Sequence, residues 1–307
     1  MRRIDMGTAK IDLHTHSICS SDGDFEPAEL VYRAKKAGLD AIAVSDHNTT
    51  AAVKMAVEAG EEIGVRVIPA VELDCMLDGI IFHVLGYGID PEARALAAID
   101  LDIQCQEKLA AKTRIRLVNE AGIAVDEAEA LAQAKDGIFV EGEIIAEIVL
   151  NKPAAADNPL LRPYLPGGSR SDNPYVNFFW DWCAQDRPAY VHIEYIDMRR
   201  AFEVIHDTGG VAVLAHPGKN LEGRFETLAD IGALGLDGIE CYSSYHTEET
   251  NEYFLNQAKK YDLLITGGSD FHGKTKPSIH MGQYGLPGDG LDLLTALDEA
   301  MVRNQMR

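Results

Sequence analysis

Two histidines one residue apart, His14 and His16, end the short apolar stretch KIDLHTHS, and Asp22 follows His16 by six residues. In an extended chain residues i and i+2 face the same way, so the two imidazoles can emerge side by side at a strand end. The same pattern recurs along the chain. Asp46-His47 ends AIAVSDH, Glu72 lies in AVELD, His83 in IIFHVLG, His216 in VLAHPG, and Asp270 with His272 in GGSDFHG. Counting His246, seven of the ten histidines lie at or near the end of such a run.

Each residue alone has a plain structural role open to it: a turn former, a helix cap, a hydrogen-bonded core histidine. Glu72 resists that reading, because an unpartnered carboxylate buried in an apolar strand costs several kcal/mol. Together the residues make a set of imidazole and carboxylate donors without clustered thiols, which suits Zn, Mn or Fe rather than Ca or a thiolate-held structural zinc. His14, His16, Asp46, His47, Glu72, His83, His216, Asp270 and His272 are nine candidate ligands, more than one ion takes. Two or three divalent ions sharing carboxylates are expected. Asp12 and Asp46 sit beside candidate ligands and are expected to orient their imidazoles; Glu240 in GIECYS is a further candidate for that role or for a structural one. Two such ions about 3.5–4 Å apart can clamp both the attacking and leaving oxygens of a phosphoryl transfer. The expected chemistry is in-line attack by a hydroxide shared between ions, with Asp270, His272 and His83 closest to the reaction.

These residues need strand ends to hold them, and the surrounding sequence supplies them. KIDLHTHS reads as a strand and EPAELVYRAKKAGLD as a helix, opened by Pro27 and stopped at Gly38. AIAVSDH reads as a second strand, TTAAVKMAVEAGEEIG as a second helix, and VRVIPAVELDCM and IIFHVLGYGI as strands joined at an Asp78-Gly79 turn. Such alternation predicts a largely parallel sheet or barrel, whose strand C-termini host the chemistry. From Pro91 to about Lys152 the sequence turns long and helical; a segment dense in Pro, Gly, Asn and aromatics follows, and alternation returns near Ile196. We read one α/β domain, residues 1–90 and 196–307, interrupted by a helical and irregular cap over 91–195.

The chain has 307 residues, 49 acidic and 28 basic, for a formal net charge of −21. So acidic a surface opposes polyanions and anionic membranes, and an anionic substrate would need bound cations to invert the local field. Five scattered cysteines without a C-x-x-C pair read as thiols of a reducing compartment. MRRIDMGTAK has no apolar leader core and no run is long enough to cross a bilayer, so a cytoplasmic protein is expected. Cations that could grip a phosphate lie near the ligands: Lys219 in HPGKN, Lys274 in SDFHGKTK, and Arg170 with Asn173 in GGSRSDN. Tyr175, Phe178, Phe179, Trp180 and Trp182 either line a pocket or pack a core.

The ordered motifs H-x-H-S with S-D-G-x-x-x-P, D-H, A-V-E, H-x-x-G, A-H-P-G and G-S-D-F-H resemble the PHP (polymerase and histidinol phosphatase) family, and within it the stand-alone bacterial metal-dependent phosphoesterases. The resemblance covers about residues 10–90 and 195–285. It implies a distorted (β/α)7 barrel and a two- or three-metal centre on His14, His16, Asp22, His47, Glu72, His83, His216, Asp270 and His272. Two features depart from it. HSICSSDG carries one residue more than the usual spacing, leaving Asp22 as the match and Asp24 spare. Where some members place an Arg-x-His pair for substrate phosphate, this chain has VEGEIIAEIVL, with Glu143 and Glu147.

The implied function is hydrolysis of a small phosphorylated sugar or nucleotide, cyclic diester or monoester. Among family precedents 5-phosphoribosyl 1,2-cyclic phosphate is preferred over nucleoside 3',5'-bisphosphate and histidinol phosphate, since the Arg-x-His pair is missing; Arg170 in the cap fits a substrate bearing a second phosphate. An amide or lactone hydrolase and a non-catalytic metal-bound module are the readings of other classes. A polymer-processing nuclease is not expected, for want of a basic groove.

Overall fold

Eight strands and eleven helices make up the computed structural model, which describes residues 8–134 and 138–306. Residues 1–7 of the MRRIDMGTAK stretch therefore lie outside the described residues. In chain order the elements begin with β1 (Ile11–Thr15), α1 (Pro27–Lys36), β2 (Ala41–Val44), α2 (Val53–Ile63), β3 (Arg66–Leu77) and β4 (Ile80–Tyr87). The inserted stretch supplies α3 (Arg94–Glu120), α4 (Glu127–Gln133), α5 (Gly142–Leu150) and α6 (Pro174–Phe178). The remainder holds β5 (Ile196–Asp197), α7 (Met198–Asp207), β6 (Val211–Leu214), α8 (Pro217–Asn220), α9 (Leu228–Ala233), β7 (Gly238–Ser243), α10 (Glu248–Tyr261), β8 (Leu264–Gly268) and α11 (Leu291–Gln305).

Seven strands pair in the order β1-β2-β3-β4-β6-β7-β8, and β5 adds a short pairing at the far end of β3. The sheet then nearly closes on itself. Phe271, just past β8, bridges Thr15 of β1, and the backbone N–H groups of Asp270 and His16 donate to the carbonyls of His14 and Phe271 at 2.9 Å each. This is the distorted seven-stranded barrel expected. One strand departs from the parallel pattern: β4 runs antiparallel to both β3 and β6. A two-residue loop permits no parallel return, and Asp78 (φ 50°) and Gly79 (φ 78°) both take the left-handed backbone that a tight hairpin demands.

The helices form where local signals place them. In α1, Pro27 opens the helix and Leu30, Val31 and Ala34 bury one face. In α2, Gly64 ends the helix in the left-handed conformation, donating to the Gly60 carbonyl. The long helical stretch after Pro91 is three helices rather than one. The chain breaks after α3, where Asn119 ties off the turn through hydrogen bonds to Ile115 and Val125, and Asp126 caps α4 through the Glu129 N–H. These helices and the irregular segment after them share a core of their own, with Ile115, Val118, Ile123, Val140, Ile145, Tyr164 and Phe178 buried together. The barrel interior is filled separately by Leu13, Ala43, Ile68, Leu85, Tyr87 and Val213. Among the described residues no helix is long and apolar enough to cross a membrane.

Candidate metal centre

Every strand that the candidate ligands follow ends at the same mouth of the barrel. β1 delivers His14 and His16; the loop after β2 delivers His47; β3 carries Glu72 and, two residues on, Asp74 on the same face. His83 lies directly opposite Asp74 in the hairpin register. His216 follows β6, Glu240 lies on β7, and Asp270 and His272 follow β8. The turns that aim these groups are bent in a particular way. Asn48, His216 and Asp270 all have positive φ (56°, 24° and 57°), a backbone that non-glycine residues adopt at a cost and that clusters at functional sites.

All nine ligands implied by the resemblance converge. Glu72, fully buried, is the hub. Its Oε2 lies 3.0 Å from His14 Nε2, 3.2 Å from His16 Nε2 and 3.5 Å from His47 Nε2. Its Oε1 lies 3.2 Å from His83 Nδ1 and 3.3 Å from His216 Nε2. Asp270 Oδ1 reaches His14 and His16 at 3.2 and 3.1 Å, and Asp22 Oδ2 lies 3.0 Å from His272 Nε2. Donor atoms fall into three overlapping groups, each within 4.8 Å: His16, Asp22, His47, His272; His14, His16, Glu72, Asp270; and His47, Glu72, His83.

Two observations test whether such a cage suits cations. Both ring nitrogens of buried His16, together with His272 Nε2 and Asp270 Oδ1, have no hydrogen-bond partner despite close neighbours. Native interiors rarely strand so many polar atoms unless something else satisfies them. The electrostatics point the same way. Burial works against charge on Glu72, Asp22 and Asp270, yet the surrounding imidazoles (for Asp270, Lys276 first) hold all three well below the usual carboxylate range. Burial likewise opposes charge on His14 and His47, but Glu72 and its fellow carboxylates push both well above the ordinary imidazole value. His16 goes the other way: burial and the neighbouring His272 lower it to about 4, leaving a neutral ring with lone pairs to donate. Protons shared among imidazoles substitute here for positive charge that metal ions can supply.

The residues expected to orient the imidazoles work one layer further out. Asp12 accepts from the Ser269 N–H and Oγ–H, the Gly282 N–H and the His14 N–H, at 2.8, 2.6, 2.7 and 3.3 Å. Asp46 accepts from the Ser17 N–H and Oγ–H at 2.6 and 2.7 Å. Asp12 thus steadies the backbone that carries the ligands and touches no ring, because its strand position points it across the β1–β8 seam. The carboxylates that do hold rings are Glu240, 3.1 Å from His14 Nδ1 with its other oxygen on the His216 N–H at 2.8 Å, and Asp74, 3.2 Å from His47 Nδ1. His246, also near a strand end, pins backbone instead: its ring nitrogens meet the Gly218 N–H and the Cys241 carbonyl.

A cavity of about 790 Å³ opens over the cage between barrel and insertion, and Asp22, His47 and His83 form part of its wall. Of the expected substrate-gripping residues only Lys219 lines it, with Nζ 4.8 Å from the Trp180 ring centre and 3.7 Å from Glu222. Arg170 is instead engaged with Asp181 through two bonds of 3.0 and 2.9 Å, Lys274 with Glu147 at 2.8 Å, and Asn173 accepts from the Ser278 N–H and Oγ–H. Each sits on a turn whose nearest opposite charge or donor lies in its own neighbourhood, outside the cavity wall. Of the aromatics, Phe178 is core, whereas Phe179 and Trp180 face the cavity.

Sequence reasoning passed over Lys276. It is buried, its Nζ donates to Asp270 Oδ2 at 2.6 Å, and the Tyr245 hydroxyl donates to the same oxygen at 2.6 Å. The signal was present but weak: a second lysine in the GKTKP turn, six residues beyond Asp270.

Comparison with known proteins fits this geometry. The PHP domain family model matches residues 12–146. A 5'-3' exoribonuclease from Haemophilus influenzae is 32% identical over 86% of this chain and 90% of its own length. A phosphoribosyl 1,2-cyclic phosphate 1,2-diphosphodiesterase from Eggerthella lenta is 32% identical over 88% and 97%. A 3',5'-nucleoside bisphosphate phosphatase from Chromobacterium violaceum is 29% identical over 86% and 87%. Among solved structures, an amidohydrolase from Chromobacterium violaceum with bound sulfate superposes with TM-score 0.77 at 27% identity, covering 94% of this chain and 97% of its own. With barrel, ligand spacing and these relatives in agreement, the chain belongs to the PHP family of metal-dependent phosphoesterases.

Proposed function

We propose that this chain hydrolyses a phosphate ester of a small, sugar- or nucleotide-sized molecule, using divalent transition metal ions held by the nine converging residues. The observation that supports it most is Glu72, one fully buried carboxylate facing five imidazoles. Glu72, shared by two of the donor groups, would be central to holding such ions. A ring nitrogen serves one ion only, so His16 and His47, each common to two donor groups, are apportioned between neighbours. Three ions match the three groups, with His216 joining the group around His83, and Mn, Zn or Fe suits the donors. When bound, such ions supply positive charge to the phosphoryl oxygens and lower the pKa of water towards neutrality.

The chain's own groups do the rest. Glu240 fixes the His14 ring and His216 backbone together. Lys276 and Tyr245 hold one Asp270 oxygen, leaving Oδ1 turned to the cage. Lys276, in the cavity wall, offsets the charge of Asp270 there. A cavity of about 790 Å³ supports a substrate group of sugar or nucleotide size. Arg170, engaged by Asp181, offers no support for a grip on a second phosphate.

The test is metal analysis of protein purified without added metal, then phosphate release from 5-phosphoribosyl 1,2-cyclic phosphate, nucleoside 3',5'-bisphosphates, histidinol phosphate and a short 5'-phosphorylated RNA, the last because of the exoribonuclease relative. An amide and a lactone panel covers the hydrolase reading of another class. Glu72→Ala is expected to lose bound metal and turnover together, by at least about 100-fold. Full activity in that variant would refute the ligand assignment.

A further inference from the structure

At the cap side of the cavity the wall is acidic in a way the metal cage does not use. Glu141 and Glu143 flank the first residue of α5, and both face the cavity with Glu107. Glu107 has a partner: Arg114 Nη1 and Nη2 approach its oxygens at 2.9 and 3.2 Å, and Nη1 also donates to the Val140 carbonyl. That guanidinium is therefore taken, as is Lys276 by Asp270 and Tyr245. Glu143 is 6% exposed, and its Oε2 has no hydrogen-bond partner. Ser21 bonds to Glu141 but brings no charge. Of the remaining cations in the wall, Lys219 faces Glu222, leaving Arg224.

A buried carboxyl without a partner is costly, and the cost is met when a ligand brings donors to it. Cationic donors suit these two carboxyls, because an ammonium favours the carboxylate form that burial opposes, whereas a phosphate would oppose it further. Phe179 and Trp180, edge to face at 5.2 Å, add ring surface to the same cavity, and aromatic faces attract cations. Trp180 already carries the Lys219 ammonium over its ring.

We propose that the molecule hydrolysed here carries, besides its phosphate ester, an amine that Glu141 and Glu143 bind at the cap side of the cavity. This rests on the phosphoesterase reading and narrows it away from bis-phosphorylated substrates. The phosphate end goes to the cage and the ammonium end to the two glutamates, so the chain discriminates by the charge of the far group.

Non-hydrolysable phosphonates separate binding from turnover. Calorimetric titration of metal-loaded protein compares ω-aminoalkylphosphonates of two to six carbons with alkylphosphonates and alkane-bisphosphonates of equal length. At the best-fitting length the amine is expected to bind at least tenfold tighter than the plain chain, and the bisphosphonate weakest. Glu143→Gln and Glu141→Gln, which keep shape and remove the carboxyl that an ammonium can ionise, are expected to erase the amine advantage while plain alkylphosphonate binding stays within about threefold. Equal affinity for amine and plain chain, a preference for the bisphosphonate, or an amine preference that survives in both variants overturns the proposal. A Gln variant that slows every ester equally without changing the amine preference does so too, because the carboxyl would then serve the reaction and not recognition. If no ester releases phosphate yet the amine preference stands, the phosphoesterase reading fails and the amine pocket is upheld.

Discussion

Lys276 shows how much one side chain can carry in this site. Its ammonium is buried against Asp270, and removing one partner of such a pair leaves the other charged and stranded. Lys276→Met is therefore expected to destabilise the metal-free protein by about 3–5 kcal/mol in urea unfolding; a change below about 1 kcal/mol would show that Asp270 does not depend on it. Glu141 and Glu143 make a pH prediction. Burial, then neighbouring carboxylates, raises Glu141 to about 8 and Glu143 well above its ordinary value. A raised carboxyl binds more protons folded than unfolded, so stability falls as pH climbs from about 4.5 towards 8. Glu141→Gln removes its share, and its loss of stability between pH 5 and 8 should be smaller than the parent's by on the order of 1 kcal/mol. An unchanged slope in thermal melts across that range would refute this. The nine residues that converge at the barrel mouth were legible as a set of candidates, because imidazoles and carboxylates at strand ends stand out against apolar runs. Lys276 was not, since a lysine in a turn reads as solvated until the fold shows the oxygen it reaches. For the same reason Arg170 looked available until Asp181, eleven residues on, was seen beside it.

At the scale of elements the seam between β1 and β8 decides whether the cage forms. Gly268 ends β8 against His14, and a Cβ there would overlap the Cβ and backbone nitrogen of His14. Gly268→Ala must push β1 aside. We expect a stability loss of about 1–3 kcal/mol and a metal affinity at least tenfold weaker, read by competition with a chromophoric chelator; parental metal affinity would show that the seam tolerates movement. Helix limits were legible where Pro27, Gly38 and Gly64 marked them. The direction of β4 was foreshadowed by its turn residues yet had to be seen in pairing, because periodicity carries no strand direction. The division of the insertion into three helices depended on Asn119 and Asp126, polar residues whose capping role emerges only once the backbone turns around them.

For the whole molecule, the net charge of −21 sets a long-range field that attracts metal ions and repels phosphate esters. Raising ionic strength from about 0.01 to 0.15 M shortens the Debye length from about 30 to 8 Å. Metal uptake by chelated protein should then slow, whereas kcat/KM of the loaded protein for a plain dianionic ester should rise severalfold. Stopped-flow uptake and initial rates measure the two, and salt-independence of both would remove the field from the account. The composition announced this charge at once; its uneven placement, with two glutamates left over in the cap, needed the fold.

The barrel seam has one more consequence. His14 lies in the first strand and Asp270 just past the last, yet their atoms stand 3.2 Å apart. A nascent chain still lacking that final strand holds only part of the cage, whatever ions surround the ribosome. A cage assembled this way would be complete only in the finished molecule, and clipping the tail before Asp270 is expected to weaken its hold on metal.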